Sequence, residues 1–387
     1  KIKIKPVLTA HPTQFYPGSV LGIITDLSYA IENNDLIEIK SLLAQLGKTP
    51  FFKKKKPTPY DEAVSLTWYL ENMFYNSISN IQKYIKSNIA DNKFINYDLI
   101  SLGFWPGGDR DGNPYVTNEI TIKTAFKLRS DIIKNYYRDV RKLRRRLTFQ
   151  NVEDVVIDIE NRLYLSMGEE LENPSISLDE LKEKLLFIRK KIIKDHESLF
   201  LEQVEELIDK VNIFGYHFAS LDIRQDSGIH NDVFKRILKE KFGIKMSKKY
   251  LEMNEDDKIN FLSNSKFKSN INDFSDSIVL KTLGSINAMR NIQKSNGEKG
   301  CHRYIISHNE SALNLFEVYY MFKFTGWINP TVDIVPLFET IDDLNISVSV
   351  MEKVYENKLY RNHLKSRNNE QVIMLGFSDG TKDGGYF

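Results

Sequence analysis

Cysteine is almost absent from this sequence: Cys301 is the only one among 387 residues. A single cysteine excludes an internal disulfide framework and a zinc site built from several cysteines. It fits a reducing compartment but does not establish one. The sequence also lacks an apolar run long enough to cross a bilayer, and its first residues lack the apolar segment of a signal peptide. No membrane partner is therefore expected.

The sequence also has no large excess of positive or negative charge. Lysine and arginine together number 54 and the acidic residues 52, which gives a formal net charge of +2. Two basic runs lie at 53–56 and 141–146, but Leu143 and Leu147 give the second run the spacing of an amphipathic helix with a solvated face. A nucleic-acid partner is therefore not expected.

Helical patterns dominate the sequence by length. Apolar residues recur at three- and four-residue steps, with lysine and glutamate between them. The pattern runs through 60–89, 120–147 and 311–324, and it is clearest at Leu181, Leu185, Ile188, Ile192 and Leu199. It predicts large helical insertions near 60–90 and 120–212.

Short apolar or β-branched runs lie between the helical patterns. Each run ends in a polar, glycine-rich or charged cluster, and runs of this length are typical of buried parallel strands. The predicted strands lie near 3–9, 99–105, 218–223, 304–307, 332–338 and 372–377. Strands that alternate with helices and carry polar residues at their carboxyl ends are typical of a (β/α) barrel.

The predicted fold class is therefore α/β and predominantly helical: an incomplete (β/α)8-type barrel with about six of eight strands and large helical insertions. A closed barrel of this type needs eight strands, so the alternative is an open sheet. The sequence has no initiator methionine, and it ends directly after the glycine-rich segment 379–385. We therefore expect the chain to be part of a longer protein, with further strands beyond Phe387.

Two carboxylates directly follow predicted strands and form the best candidate metal pair. Glu339 comes after the strand near 332–338, and Asp379 after the strand near 372–377. Oxygen ligands suit Mg²⁺ or Mn²⁺, with water and substrate oxygens completing the coordination shell. The structural alternative is a loop carboxylate that caps a helix or faces solvent, and for either residue taken alone that alternative is favoured.

The segment 378–385 combines Asp379, Lys382 and three glycines. Glycine lets backbone N–H groups approach phosphate closely, and lysine supplies the opposite charge. The spacing differs from that of a P-loop, so no nucleotide is implied. An ordinary turn also explains the glycines, and we weigh the two interpretations evenly.

Arg110 and His11 are further candidates. Arg110 lies in the segment 107–114 among aspartates and glycines. An anion site and a structural ion pair both explain this segment, and the ion pair is slightly favoured for the carboxylates. His11 precedes Pro12, which disfavours a helix before it and would hold the imidazole at a strand end. A lone histidine is more often structural than catalytic.

Arg224 follows the predicted strand near 218–223 directly. Its planar guanidinium could bind a phosphate or a carboxylate through two parallel hydrogen bonds. The structural alternative is a salt bridge to Asp222 or Asp226, which lie two residues away on either side.

Taken in order along the chain, these motifs resemble those of the phosphoenolpyruvate carboxylase family. The Gly-Gly-Asp-Arg-Asp-Gly-Asn-Pro and Pro-Leu-Phe-Glu-Thr motifs are highly specific. The segments that match, in register, are 8–13, 56–63, 107–114, 221–225, 304–307, 335–344 and 374–385.

The resemblance implies a mostly helical protein around an eight-stranded barrel. It implies a carbon–carbon lyase that carboxylates phosphoenolpyruvate with bicarbonate to oxaloacetate and phosphate, an anaplerotic carbon fixation, with Mg²⁺ or Mn²⁺ and without biotin. In this reaction bicarbonate attacks phosphorus to give carboxyphosphate and the enolate, whose carbon then captures the released CO₂. It also implies a cytoplasmic protein and, for the full-length chain, a homotetramer.

The same resemblance implies roles for the candidate residues. Glu339 and Asp379 match the metal ligands of the family. His11 matches the histidine linked to the carboxyphosphate and carboxylation steps. Arg224 and Lys382 match basic residues around the phosphate, and we take them as catalytic and substrate-binding.

Some parts of the sequence depart from the family pattern. Arg110 matches an arginine of the glycine-rich motif and is taken as substrate-binding, but Gln14 stands where glutamate is usual, and Gly380-Thr381 replaces a more common Ser-Gly or Ser-Ala. The family's Phe-His-Gly-Arg-Gly-Gly segment and C-terminal inhibitor site are absent, so we expect little or no turnover by these 387 residues alone. The rival hypothesis is a non-catalytic metal- or phosphate-binding segment with a structural or regulatory role.

Overall fold

The computed structural model describes residues 3–9, 16–51, 57–88, 96–168, 173–265, 267 and 269–385. Within these residues six strands form one sheet in which every neighbouring pair is parallel and the order follows the chain. The strands are β1 (Val7–Leu8), β2 (Gly103–Phe104), β3 (Ser220–Asp226), β4 (Arg303–Ser307), β5 (Asp333–Phe338) and β6 (Met374–Leu375). The sheet is an incomplete α/β barrel, which confirms the predicted fold class.

Helices surround the sheet and fill the long connections. They are α1 (Gly18–Glu32), α2 (Leu36–Lys48), α3 (Pro59–Tyr69), α4 (Tyr75–Asn88), α5 (Asn118–Arg144), α6 (Glu153–Leu165), α7 (Leu178–Asp195), α8 (Leu201–Phe214), α9 (Ser227–Glu252), α10 (Glu255–Asn264), α11 (Ser277–Asn296), α12 (Ala312–Phe324), α13 (Ile341–Glu356), α14 (Lys358–Ser366) and α15 (Phe377–Gly384). A π-helical turn, Leu70–Phe74, joins α3 to α4, and α9 bends at Gly243. None of these described helices has the length and apolar character needed to cross a membrane.

Local sequence signals explain where several helices begin. Thr58 caps α3 and exchanges hydrogen bonds with Asp61, and Thr340 does the same with Asp343 at the start of α13. Such capping boxes satisfy N–H groups that have no partner inside the helix. Four residues of the predicted apolar stripe, Leu181, Leu185, Ile188 and Ile192, are buried in α7, whereas Leu199 lies after the end of α7 and is half-exposed.

Successive side chains of a strand point to opposite faces of the sheet, and this divides the core into two parts. On β4, Tyr304 and Ile306 join the main apolar cluster between sheet and helices. Ile305 faces the other way and packs with Val335 and Leu337 of β5 inside the curved sheet. Trp105, Val372 and Met374 pack against this inner cluster, so the floor of the barrel interior is apolar.

The strands differ in length from the predicted ones. β3 continues to Asp226, so Arg224 lies inside the strand instead of after it. β6 is short, and the glycine-rich segment that follows it forms the eight-residue helix α15. Asp379 lies in the first turn of α15, where a carboxylate interacts favourably with the helix dipole. Neither a plain turn nor an open phosphate loop is present there.

Candidate functional site

The loop after β2 lies against the carboxyl-terminal half of β3. Arg224 N–H donates to the carbonyl of Gly108 (3.2 Å), and Arg110 N–H donates to the carbonyl of Arg224 (2.9 Å). A Cβ at Gly108 would lie 2.2 Å from the Asp222 carbonyl oxygen, so only glycine allows this approach. The glycines of this loop therefore bring its aspartates to the side chain of Arg224.

Arg224 is the centre of a cluster of carboxylates. Its Nη2 lies 2.5 Å from Asp111 Oδ2 and 3.5 Å from Glu339 Oε1, and its Nη1 lies 3.8 Å from Asp109 Oδ2. The guanidinium also lies over the ring of Trp105, 5.2 Å from its centre. Burial alone would lower the pKa of Arg224, but the three carboxylates outweigh burial and raise it. The arginine therefore stays charged at the mouth of the barrel.

The two aspartates beside Arg224 in the sequence have other partners. Asp222 accepts hydrogen bonds from Lys5 Nζ and from Trp105 Nε1, each at 3.2 Å. Asp226 accepts from the N–H groups of Gly228 and Ile229 and caps α9. Neither of the salt bridges considered as alternatives for Arg224 is present.

Glu339 directly follows β5, on the strand face that also carries Val335 and Leu337. Its backbone N–H donates to Asp343 Oδ2 (3.2 Å), which fixes the chain at the start of α13. Burial raises the pKa of Glu339, as do the nearby charges of Asp379 and Asp111, whereas Arg224 and His308 lower it. Its Oε1 is buried and accepts no hydrogen bond from the described residues.

Asp379 and Lys382 belong to α15, next to Glu339. Gly376 N–H donates to the Phe338 carbonyl (2.8 Å), and a Cβ at Gly376 would lie 3.1 Å from the Glu339 Cα. Lys382 Nζ lies 3.4 Å from Asp379 Oδ1, and the lysine side chain is 77% exposed. The structure therefore brings Arg224, Glu339 and Asp379 together, with Lys382 at the exposed margin.

No group of three or more His, Cys, Asp or Glu side chains within the described ranges is arranged to hold a metal ion. The predicted ligands remain a pair of carboxylates. Mg²⁺ is commonly held by one or two protein carboxylates, while water and substrate phosphate fill its other positions. Oε1 of Glu339 is buried without a hydrogen bond from the described residues, and it lies near Asp379, which fits this mode of binding.

Arg110 and His11 are not part of the described cluster. The Arg110 guanidinium donates to Asn118 Oδ1 (3.2 Å) and to the Lys281 carbonyl (3.0 Å), so it connects the loop after β2 to α11. His11 lies outside the described residues. The roles assigned to these two residues stay predictions.

Two residues to which the sequence analysis assigned no role, Ser307 at the end of β4 and His308 directly after it, lie beside the cluster. His308 adopts a left-handed backbone conformation (φ 53°), and its Nδ1 lies 3.6 Å from Asp343 Oδ2. Ser307, the residue before it, is buried. The rule that found Glu339, a polar residue at the carboxyl end of a predicted strand, would also have found both.

The cluster offers a charged guanidinium, a carboxylate pair for a cation and an apolar floor in the barrel interior. Such a site suits a small polyanionic substrate held together with a divalent cation. Comparison with protein families gives an independent result. A family model described as phosphoenolpyruvate carboxylase matches residues 1–175 and 160–387, which together span the whole chain.

Proposed function

The chain belongs to the phosphoenolpyruvate carboxylase family, and we propose that its protein carboxylates phosphoenolpyruvate with bicarbonate to give oxaloacetate and phosphate. The main support for this proposal is that Arg224, Glu339 and Asp379 lie close together near the carboxyl ends of parallel strands. Catalytic groups of α/β barrels come from these strand ends. We propose a cytoplasmic homotetramer without biotin.

Glu339 and Asp379 would hold the Mg²⁺ or Mn²⁺ ion of this reaction. The bound ion supplies positive charge that stabilises the phosphoryl oxygens and the developing enolate. The side chain of Glu339 is not used to cap α13, because Asp343 and Asp383 accept hydrogen bonds from the backbone N–H groups of Glu339 and Ile341 there.

Arg224 would bind the phosphoryl or carboxylate group of the substrate. The proposal is supported by the carboxylate oxygens of Asp111 and Glu339, which lie 2.5 and 3.5 Å from Nη2 of Arg224. Trp105 covers the guanidinium and joins the apolar inner cluster. This apolar floor would keep water away from the enolate, which water would otherwise protonate.

Lys382 would neutralise the phosphate from the exposed side of the site, where its side chain has room to move. His11 would act in the carboxyphosphate and carboxylation steps. Arg110 would also bind the substrate. Its hydrogen bonds to Asn118 and to the Lys281 carbonyl hold the loop after β2 in place.

Binding and turnover test the proposal separately. Phosphoenolpyruvate binding is measured by calorimetry on the 387-residue chain, in bicarbonate-free buffer with and without Mg²⁺. Turnover is measured as bicarbonate-dependent oxaloacetate formation, coupled to malate dehydrogenase, for this chain and for the product of the complete gene. We expect Mg²⁺-dependent binding by the chain, turnover by the complete gene product, and little or no turnover by the chain alone.

The outcomes separate the hypotheses. Binding without any turnover by the complete gene product would favour the non-catalytic hypothesis. Absence of both binding and turnover would contradict the proposed function. Robust turnover by the 387-residue chain would support the function and show that the expectation of an inactive chain is wrong.

A further inference from the structure

Three polar atoms at neighbouring strand ends have no hydrogen-bond partner among the described residues. They are Arg224 Nε on β3, Ser307 Oγ on β4 and Glu339 Oε1 after β5, and all three atoms are buried. Buried polar atoms are nearly always hydrogen-bonded, so three unpartnered ones at one site require an explanation.

The sheet register places the three side chains on one face. Arg224 pairs with Ile305, and Ile305 pairs with Val335. Ser307 follows Ile305 by two residues, and Glu339 follows Val335 by four. Because side chains of a strand alternate between its faces, all three point to the barrel interior, where Ile305 and Val335 belong to the inner apolar cluster.

Ser307 is held firmly in this position. Ser227 Oγ donates to the His308 carbonyl (2.5 Å), and Asn309 N–H donates to the Leu337 carbonyl (3.1 Å). Between these two anchors His308 adopts its left-handed conformation, which is uncommon for a residue other than glycine and persists only where surrounding contacts enforce it. The backbone around Ser307 is therefore held in place by its neighbours, whereas the hydroxyl has no hydrogen-bond partner among the described residues.

Within the described residues, Glu339 Oε1 has no hydrogen-bond donor. Without ligands, the cation nearest to Glu339 Oε1 among the ion pairs of the described residues is Arg224, at 3.5 Å. An anionic substrate would compete for the same guanidinium, and Glu339 would lose that neighbour. A carboxylate that binds a metal needs a second hydrogen-bonding partner to fix its orientation.

We infer that Ser307 is this partner: a positioning residue whose hydroxyl donates to the carboxylate of Glu339 when Glu339 binds the divalent cation. The inference rests on the proposed function, because it assumes that Glu339 is a metal ligand. It adds a residue of β4 to a site otherwise built from β3, β5 and α15. The donor and the acceptor are both buried, and neither forms a hydrogen bond with any described residue.

Mn²⁺ binding tests the inference without any need for turnover. The dissociation constant of Mn²⁺ is measured by electron paramagnetic resonance on the 387-residue chain, and the unfolding temperature is measured without metal. In Ser307→Ala we expect Mn²⁺ to bind about tenfold more weakly or worse, which is the usual effect of removing such a partner. The metal-free unfolding temperature should not fall, because the hydroxyl forms no hydrogen bond with the part of the chain that the structure describes. Ser307→Thr, which keeps a hydroxyl, should restore binding.

Ser285→Ala is the matched control. Ser285 is also a fully buried serine, but its hydroxyl donates to the Thr282 carbonyl (2.7 Å) within α11. This variant should unfold at a lower temperature and bind Mn²⁺ as the unmodified chain does. The combination of weaker metal binding with unchanged stability is therefore specific to a positioning role.

Two results would overturn the inference and leave the proposed function intact. One is Mn²⁺ binding by Ser307→Ala as tight as that of the unmodified chain, while Glu339→Gln binds poorly. The other is a loss of binding in Ser307→Ala that Ser307→Thr does not restore and that accompanies a lower unfolding temperature. Failure of the unmodified chain to bind Mn²⁺ would overturn both the inference and the proposed metal pair.

Discussion

Nη2 of Arg224 lies 3.5 Å from Oε1 of Glu339, although β4 separates the strands that carry the two residues. The same nitrogen lies 2.5 Å from Asp111, which comes from the loop after β2. One guanidinium on β3 therefore neutralises carboxylates that follow strands on either side of it in the sheet order. This arrangement exists only when β2 to β5 are assembled, so it links the fold directly to the site.

Arg224→Lys should weaken phosphoenolpyruvate binding although it keeps the positive charge. Lysine lacks the planar fork and cannot hold two anionic groups in the directions that Arg224 serves. We expect binding roughly tenfold weaker, on the scale of one charge-assisted hydrogen bond, and a larger loss in Arg224→Gln. Calorimetry with phosphoenolpyruvate and Mg²⁺ measures the effect.

The control for Arg224 is Arg236→Gln. Arg236 also pairs with two aspartates, Asp232 and Asp276, but it does so on the helical surface, at 2.8 and 3.1 Å. We expect no change in binding for this variant. Equal affinity of Arg224→Lys and the unmodified chain would show that the fork geometry of Arg224 does not matter.

Glu339→Gln should abolish oxaloacetate formation by the complete gene product and remove most Mn²⁺ binding by the 387-residue chain. The amide keeps the shape of the side chain but not the charge that a hard cation requires. Folding should be intact, because the hydrogen bond from Glu339 to Asp343 is donated by the backbone N–H, which the substitution does not change. Circular dichroism checks the fold, and Mn²⁺ titration checks the binding.

Glu310→Gln is the control for this charge change. Glu310 lies near the same strand ends, with Oε1 3.2 Å from His308 Nε2, and its side chain is 64% exposed. We expect Mn²⁺ binding to be unaffected. Near-normal activity of Glu339→Gln would remove Glu339 from the proposed metal site.

The sequence predicted the fold class and paired Glu339 with Asp379 as candidate metal ligands, since polar residues after parallel strands meet at one edge of a sheet. It could not predict the partners of Arg224. Asp222 and Asp226 lie nearest to Arg224 in the sequence, but Lys5, which precedes β1, binds the first, and the second caps α9. Such competition depends on contacts between distant segments.

The orientation of Arg110 shows the same limit. Neighbouring residues of the loop after β2 point in different directions: Asp109 and Asp111 towards Arg224, and Arg110 towards α11. The sequence presents all three as one charged cluster. Only the backbone pairing of this loop with β3 separates them.

Gly108→Ala should destabilise the protein strongly, whereas Gly112→Ala should not. A Cβ at Gly108 would lie 2.2 Å from the backbone oxygen of Asp222, which cannot move without disturbing β3. Gly112 has open space around it and only a positive φ of 63°. We expect a cost of several kcal/mol, at least about 3, for the first and about 1 kcal/mol for the second.

Urea unfolding measures both costs, and phosphoenolpyruvate titration reports the consequence for the site. Gly108→Ala should also weaken binding, because it moves the loop that carries Asp109 and Asp111. Equal stability of the two variants would show that the loop does not pack tightly on β3.

Glu317 of α12 offers a test that is independent of the site. It is 1% exposed, Tyr250 OH donates to its Oε1 (3.1 Å), and its Oε2 has no partner among the described residues. Burial raises the pKa of Glu317 to about 7 from its ordinary value of 4.5, although Tyr250, Lys258 and Lys235 act in the opposite direction. The folded protein therefore holds a proton that the unfolded chain releases earlier.

The stability of the unmodified chain relative to Glu317→Gln should fall as pH rises from 4.5 to about 7 and stay constant above that. Below 4.5 the carboxyl is protonated in both states and costs nothing. Between the two values only the unfolded chain ionises, which favours unfolding by up to about 3 kcal/mol in total. The measurement is the difference in unfolding free energy between the two proteins at pH 5, 6, 7 and 8. Glutamine does not titrate, so its own effect on stability is the same at each pH and does not change how this difference varies with pH. A difference that does not vary with pH would show that Glu317 ionises equally in the folded and unfolded states.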